Sequence, residues 1–161
     1  MICKLRLFIP LGTQKFPFNR LIDTLNKYVK EGLYLPEEIL IQSSVYEIEP
    51  LFLHKEIIPI EQFNKYLNET PIIITHSGVN SIISCMNLNK KFIVVPRLKE
   101  YGEHIDNHQV EIAELMENKY HCLVVKDMSD LYATIQKAPE HSYLPWISNK
   151  STLIAAIKKI I

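Results

Sequence analysis

The sequence predicts a single α/β domain, a mostly parallel sheet with helices on both faces. Short apolar runs of strand length alternate with amphipathic helical patterns along the chain, the order that β–α–β units require. Two of these runs end in polar, turn-rich clusters, as neighbouring parallel strands do at a ligand-binding edge. The 161 residues are enough for one domain with a sizeable core.

In chain order, residues 5–9 form the first strand, and Leu11-Gly12-Thr13-Gln14 is the turn after it. Residues 18–30 are an amphipathic helix with Leu21, Ile22, Leu25 and Val29 on its inner face. Residues 38–42 are the second strand. Residues 51–53 and 56–58 are short apolar runs, either strands or a bend around His54. Residues 60–67 form a helix and 71–75 the strand that feeds the turn Thr75-His76-Ser77-Gly78-Val79-Asn80-Ser81. A helix over 82–88, a strand over 92–95 and a helix over 108–117 follow, the last with Val110, Ile112, Ala113 and Met116 facing partly inward. Residues 122–125 are the last strand and 129–137 a short helix. At the end, Leu153, Ile154, Ile157, Ile160 and Ile161 form a wide apolar stripe over 151–161. Core packing and partner docking both explain such a stripe.

Lysine plus arginine and aspartate plus glutamate are both 18. This balance argues against nucleic acid as a partner, because nucleic-acid binding needs a basic surface. The three cysteines, Cys3, Cys85 and Cys122, form no C-x-x-C pair, which suits a reducing cytoplasm. Lys4, Arg6 and Pro10 interrupt any leader-like run at the start. No stretch is long and apolar enough to span a membrane.

Chemistry concentrates in two polar loops. A helix start presents unpaired N–H groups and the positive end of the helix dipole. Gly78 lets backbone approach a ligand, and His76, Ser77, Asn80 and Ser81 add donors, so the loop suits a diphosphate. The second cluster, Gly102-Glu103-His104-Ile105-Asp106-Asn107-His108-Gln109, follows the strand ending at Pro96. A nucleotide-linked ligand lying across both loops is expected. Alone, His76 reads as a strand-end histidine satisfied by backbone and Gly12-Thr13 as a simple turn; Gly78, Asn80 and Ser81 after the histidine, and the second loop at the same edge, turn both toward a ligand. His104 and His108 have the i, i+4 spacing of zinc ligands, with Asp106 and Glu111 nearby, but no clear third ligand with its second shell is apparent. No metal is therefore expected. Cys85 is expected to be buried and without a nucleophilic role. The absence of G-x-G-x-x-G after the first strand argues against a dinucleotide domain.

These motifs resemble a family. Gly12-Thr13 with Phe18-Asn19-Arg20-Leu21, then His76-Ser77-Gly78-Val79-Asn80-Ser81-Ile82, then Val94-Val95-Pro96-Arg97 with Gly102-Glu103-His104, Asp106, His108-Gln109 and Glu111 are similar to the nucleotide-sugar-binding C-terminal half of GT-B glycosyltransferases. The resemblance is strongest to small donor-binding subunits of two-component enzymes. These are the soluble subunit of the dolichol-linked UDP-GlcNAc transferase and bacterial capsule or exopolysaccharide transferase subunits.

The resemblance covers nearly the whole chain and implies a Rossmann-like fold for one domain over residues 1–161. It implies a UDP-sugar donor with no further cofactor, a lipid-linked saccharide acceptor, and a membrane-associated acceptor-binding partner that brings the chain to the inner face of the membrane. It assigns Gly12, Thr13, His76, Ser77, Gly78, Asn80 and Ser81 to the nucleotide phosphates. Glu103, His104, His108 and Gln109 make up the sugar side, Gln109 and His108 bonding the sugar while Glu103 and His104 order the loop. The terminal stripe, with Trp146 and Tyr143, becomes the dock. The implied chemistry is direct transfer, the phosphate loop stabilising the departing UDP and the general base coming from the partner. Two positions depart from the pattern. Asn80 replaces a glycine, and Ser84 replaces the glutamate that grips the ribose hydroxyls. The second departure supports a rival reading, a non-catalytic subunit that enhances or stabilises an associated transferase.

Overall fold

The computed structural model describes residues 4–144 and 150–160. Six strands form one sheet: β1 (Leu7–Pro10), β2 (Ile39–Gln42), β3 (Leu53–Lys55), β4 (Ile72–Thr75), β5 (Lys91–Val94) and β6 (Leu123–Val124). Their spatial order is β3-β2-β1-β4-β5-β6, and every neighbouring pair is parallel. The helices are α1 (Asn19–Lys30), α2 (Ile60–Glu69), α3 (Val79–Asn87), α4 (His108–Tyr120), α5 (Leu131–Lys137) and α6 (Lys150–Lys158). The Rossmann-like α/β architecture is the one expected, and the sheet is parallel throughout.

Strand residues alternate between two buried faces, so β1, β2 and β4 are apolar up to their last residues, where Gln42 and Thr75 close β2 and β4. Leu7, Ile9, Ile39, Ile41, Ile72, Ile74 and Ile93 face one core with Leu21, Ile22 and Leu25 of α1 and Leu131 and Ile135 of α5. Phe8, Leu40, Ile73, Phe92 and Val94 face the other core with residues of α2, α3 and α4. Helix α1 stops at a left-handed Gly32 (φ +75°). The Leu33 N–H bonds back to Tyr28 O and the Gly32 N–H to Val29 O, which satisfies carbonyls the helix end leaves open.

Three expectations need revision. Neither of the two short runs, 51–53 or 56–58, is a strand as a whole; the strand is Leu53–Lys55, centred on His54, and it lies at the sheet edge with exposed side chains. Helix α3 begins at Val79 rather than 82, so Asn80 and Ser81 belong to its first turn. Tyr143 is no free docking residue. Its ring stacks on Phe92 at 5.0 Å, and its hydroxyl accepts from Phe92 N and donates to Phe92 O, standing in for a strand partner. In the terminal stripe, Ile157 is buried in the second core and Ile154 packs against it. Cys3, Trp146, Ile161 and the side chain of Leu153 lie outside the described residues. Among the described residues no helix is long and apolar enough to cross a membrane.

Candidate functional site

The strand order reverses between β1 and β4. From β1 the chain moves outward to β2 and β3, then returns to the far side of β1 as β4. Helices and connections leave the two strands on opposite sides there, which opens a crevice at their C-terminal ends. The Gly12 turn leaves β1 on one side of this point, and His76-Ser77-Gly78 leaves β4 on the other.

Gly12 takes φ +75°, a conformation that costs glycine little. The side-chain amide of Gln42, at the end of β2, grips its peptide at both ends. The Gly12 N–H donates to Gln42 Oε1 at 3.1 Å, and Gln42 Nε2 donates to Gly12 O at 3.0 Å and to Glu56 O at 2.8 Å. The imidazole of His76 lies between the two glycines. A Cβ on Gly12 would lie 3.5 Å from its Nε2, and one on Gly78 would lie 2.4 Å from Cε1 and 2.6 Å from Nε2. Gly78 is therefore small enough to admit the ring of His76, a packing reason that stands beside the ligand approach expected of it. Its own φ, −77°, needs no glycine.

No side chain caps α3 at Gly78, so its first-turn N–H groups keep their donor capacity. Ser77 is 2% exposed, and its Oγ has no hydrogen-bond partner. Such a buried hydroxyl costs free energy unless a group arrives to meet it. Asn80 is exposed and Ser81 half-buried. With Ser84, Pro10, Phe63 and Leu67 they line a cavity of about 150 Å³. The Ser84 hydroxyl donates back to Asn80 O at 2.8 Å, which spends its proton inside the helix. Thr13 is exposed at the turn.

The second loop is organised by two buried charges. Arg97, wholly buried, reaches Phe16 O at 2.8 Å, Glu103 O at 3.4 Å and Leu11 O at 3.5 Å, with its guanidinium over the Phe18 ring. Burial pulls its pKa down to about 10, against the pull of Glu103. Glu103 is 1% exposed and takes Arg20 Nε on one oxygen at 2.7 Å and Leu98 N on the other at 2.8 Å. Arg20 goes on to Pro96 O and Lys126 O. Glu103 thus orders the loop, and both its oxygens are taken. Gln109 is likewise buried: Oε1 accepts from Arg97 N at 3.0 Å, and Nε2 lies 3.2 Å from His76 Nδ1.

Asp106 sits between the two other histidines. Its Oδ1 lies 3.1 Å from His104 Nδ1 and accepts the His108 N–H at 3.1 Å, while Oδ2 lies 3.1 Å from His108 Nδ1. The His108 backbone N–H, more than the charges of His108 and His104, holds this carboxyl below its ordinary range. Among the described residues no three His, Cys, Asp or Glu side chains are grouped to hold a metal. Cys85 is buried, and burial pushes its thiol up to about 12. A further cleft of about 740 Å³ opens alongside, between Tyr101, Asn107, Lys126 and Met128, with Arg20 in its wall.

The fold therefore brings Gly12, His76, Ser77, Gly78 and Gln109 together and sets Asn80, Ser81 and Ser84 around the adjoining cavity. His104 stands on the neighbouring loop, with Phe16 against its ring, and His108 begins α4 after it. Sequence reasoning missed Gln42 and the central place of Arg97. The available signal was a polar or charged residue closing an apolar strand, in Ile-Leu-Ile-Gln and Val-Val-Pro-Arg.

Known proteins resemble this chain in sequence and in fold. A segment of 60 residues is 42% identical to the UDP-N-acetylglucosamine transferase subunit ALG13 of Candida albicans, covering 37% of this chain and 19% of that protein. A segment of 82 residues is 32% identical to the protein of the same name in Candida glabrata, covering 50% of this chain and 39% of that one. The chain thus matches well under half the length of these relatives. The solution NMR structure of ALG13 superposes with a TM-score of 0.60 at 16% identity, over 96% of this chain and 95% of that one, so the two share a fold. The glycosyltransferase family 28 C-terminal domain matches residues 6–145, a span that holds both polar loops and the whole sheet. The chain belongs to that glycosyltransferase family.

Proposed function

We propose that this chain is the donor-binding subunit of a two-component glycosyltransferase. It holds the diphosphate of a UDP-sugar at the β1–β4 crevice while a hexose passes to a lipid-linked saccharide. The observation that carries this is the convergence at one point of an uncapped helix start, a clamped glycine turn and the buried, unpartnered hydroxyl of Ser77. Negative charge that grows on the departing phosphate meets fixed N–H donors there, which stabilises the transition state without reorganisation. His104 and His108, oriented by Asp106, stand on the sugar side. The base that activates the acceptor belongs to a membrane-associated partner, which keeps the chain at the cytoplasmic face. In this reading residues 1–161 are one nucleotide-sugar domain, and residues 151–161 add a dock for the partner beside the core contact of Ile157. The name of the Candida relatives makes UDP-GlcNAc the first donor to test, followed by the donors of capsule and exopolysaccharide synthesis.

Calorimetric titration with UDP and a panel of UDP-sugars tests the proposal. Saturable binding is expected, and N80D should weaken it at least about tenfold by setting a carboxylate beside the phosphates. Binding that ignores N80D moves the site elsewhere. One observation favours the rival reading of a non-catalytic enhancer. Ser84 is short, and its proton is already spent on Asn80 O, so the ribose lacks the grip of a carboxylate. An isolated chain that shows no UDP heat, yet raises the activity of its associated transferase, establishes that reading.

A further inference from the structure

Gln109 has one orientation available to it. The Arg97 backbone N–H meets its side chain at 3.0 Å, and only the amide oxygen can accept that proton. The amide nitrogen then faces His76 Nδ1 at 3.2 Å. This nitrogen donates and cannot accept, so Nδ1 is the acceptor, and the proton of the neutral ring sits on Nε2. Nε2 is the ring atom next to both glycines, 3.5 Å from a Cβ position on Gly12 and 2.6 Å from one on Gly78.

We infer that Gln109 is a positioning residue, which holds His76 as an imidazole protonated on Nε2 and so presents one fixed N–H donor between the Gly12 turn and the start of α3. That the donor meets a diphosphate rests on the function proposed above; the place of the proton does not. This assigns Gln109 to the phosphate side through His76, instead of to the sugar.

The surroundings keep the ring neutral. Burial is the largest cause that takes its pKa down to about 4, the Arg97 guanidinium just past β5 adds to it, and His104 on the following loop adds a little more. The Gln109 amide nitrogen, a donor, cannot accept a proton from the charged ring and gives it no support. A neutral Nε2–H donor therefore persists from mildly acidic to basic pH.

Glutamate at position 109 inverts the arrangement. One carboxylate oxygen meets Arg97 N–H, and the other calls a proton onto Nδ1. A neutral ring then offers a bare Nε2 lone pair to the ligand. Only a doubly protonated ring restores the donor, and the carboxylate raises the pKa at which that happens.

The test is long-range proton–nitrogen NMR of the chain labelled with nitrogen-15 histidine, read between about pH 5 and pH 8, with UDP titrated calorimetrically over the same range. In the wild type, His76 should show the Nε2–H form throughout, with UDP affinity insensitive to its titration. In Q109E the proton should move to Nδ1 and the ring pKa rise by more than about one unit. UDP affinity should then fall toward about tenfold per pH unit above that pKa. Q109M, close to glutamine in volume, should give mixed ring forms and a pH-independent loss of affinity. An Nδ1–H ring in the wild type overturns the inference without recourse to any variant. So does a Q109E ring unchanged in form and pKa. If the ring behaves as stated but the wild type gives no UDP heat, the proton assignment stands and the donor-site reading falls.

Discussion

At the scale of single residues, the space around His76 decides which side chains are allowed. A Cβ on Gly78 would lie 2.4 Å from the ring, closer than non-bonded carbons come, and His76 is 7% exposed, so the ring has little room to retreat. G78A should therefore destabilise the fold by about 1–3 kcal/mol, the usual cost of overpacking a filled site. Because the clash is with one side chain, the cost should largely vanish in an H76A background. Urea unfolding of the two single variants and the double variant gives the coupling directly. A penalty that survives intact in H76A would place the strain in the backbone instead. The same geometry gives Gly78 a packing reason that a histidine-serine-glycine turn does not announce in the sequence. A ring that folds back over the second residue beyond it leaves no trace in spacing or composition.

At the scale of elements, α3 is the working part. Its first turn carries Asn80 and Ser81, and the next turn carries Ser84 on the cavity shared with Pro10 and Phe63. A glutamate at position 84 would place a carboxylate on that cavity. S84E should strengthen UDP binding roughly tenfold, about what one charged hydrogen bond contributes at the lower end of its range. Calorimetry on S84E with the fold intact decides this: unchanged affinity would show that the ribose is gripped from another element. The early start of α3 was not legible in the sequence. Val79, Asn80 and Ser81 look like turn residues, yet the Ile82 N–H reaches Gly78 O at 3.0 Å and closes the first helical turn.

At the scale of the whole molecule, the terminal helix belongs to the core through Ile157, which is 3% exposed against residues of the second face. Truncating such a side chain leaves a cavity as well as lost burial. I157A should lower stability by about 2–4 kcal/mol, and deletion of residues 151–161 should lower it at least as far, both read as a shifted urea midpoint. A deletion that leaves the midpoint unmoved would free the whole segment for docking and remove it from the core.

What the sequence by itself determined was local and periodic. The strand runs, the inner face of α1, the burial of Cys85 and the two polar loops all follow from patterns within a few residues, because backbone period and burial dictate side-chain type over that range. The family was legible for the same reason, since its motifs are short and contiguous. What only the tertiary structure decided were the pairings that hold the site together. Gln42 grips Gly12 across 30 residues, Gln109 meets His76 across 33, Arg97 reaches Phe16 across 81 and Arg20 reaches Glu103 across 83. Each pairing holds a buried polar group that must find a partner. Which partner it finds depends on the order in which parallel strands line up, β1 beside β4 and β4 beside β5. Strand order is a property of the whole chain, and it gave Glu103 its partners for ordering the loop, Arg20 and Leu98, and set the Gln109 amide against His76.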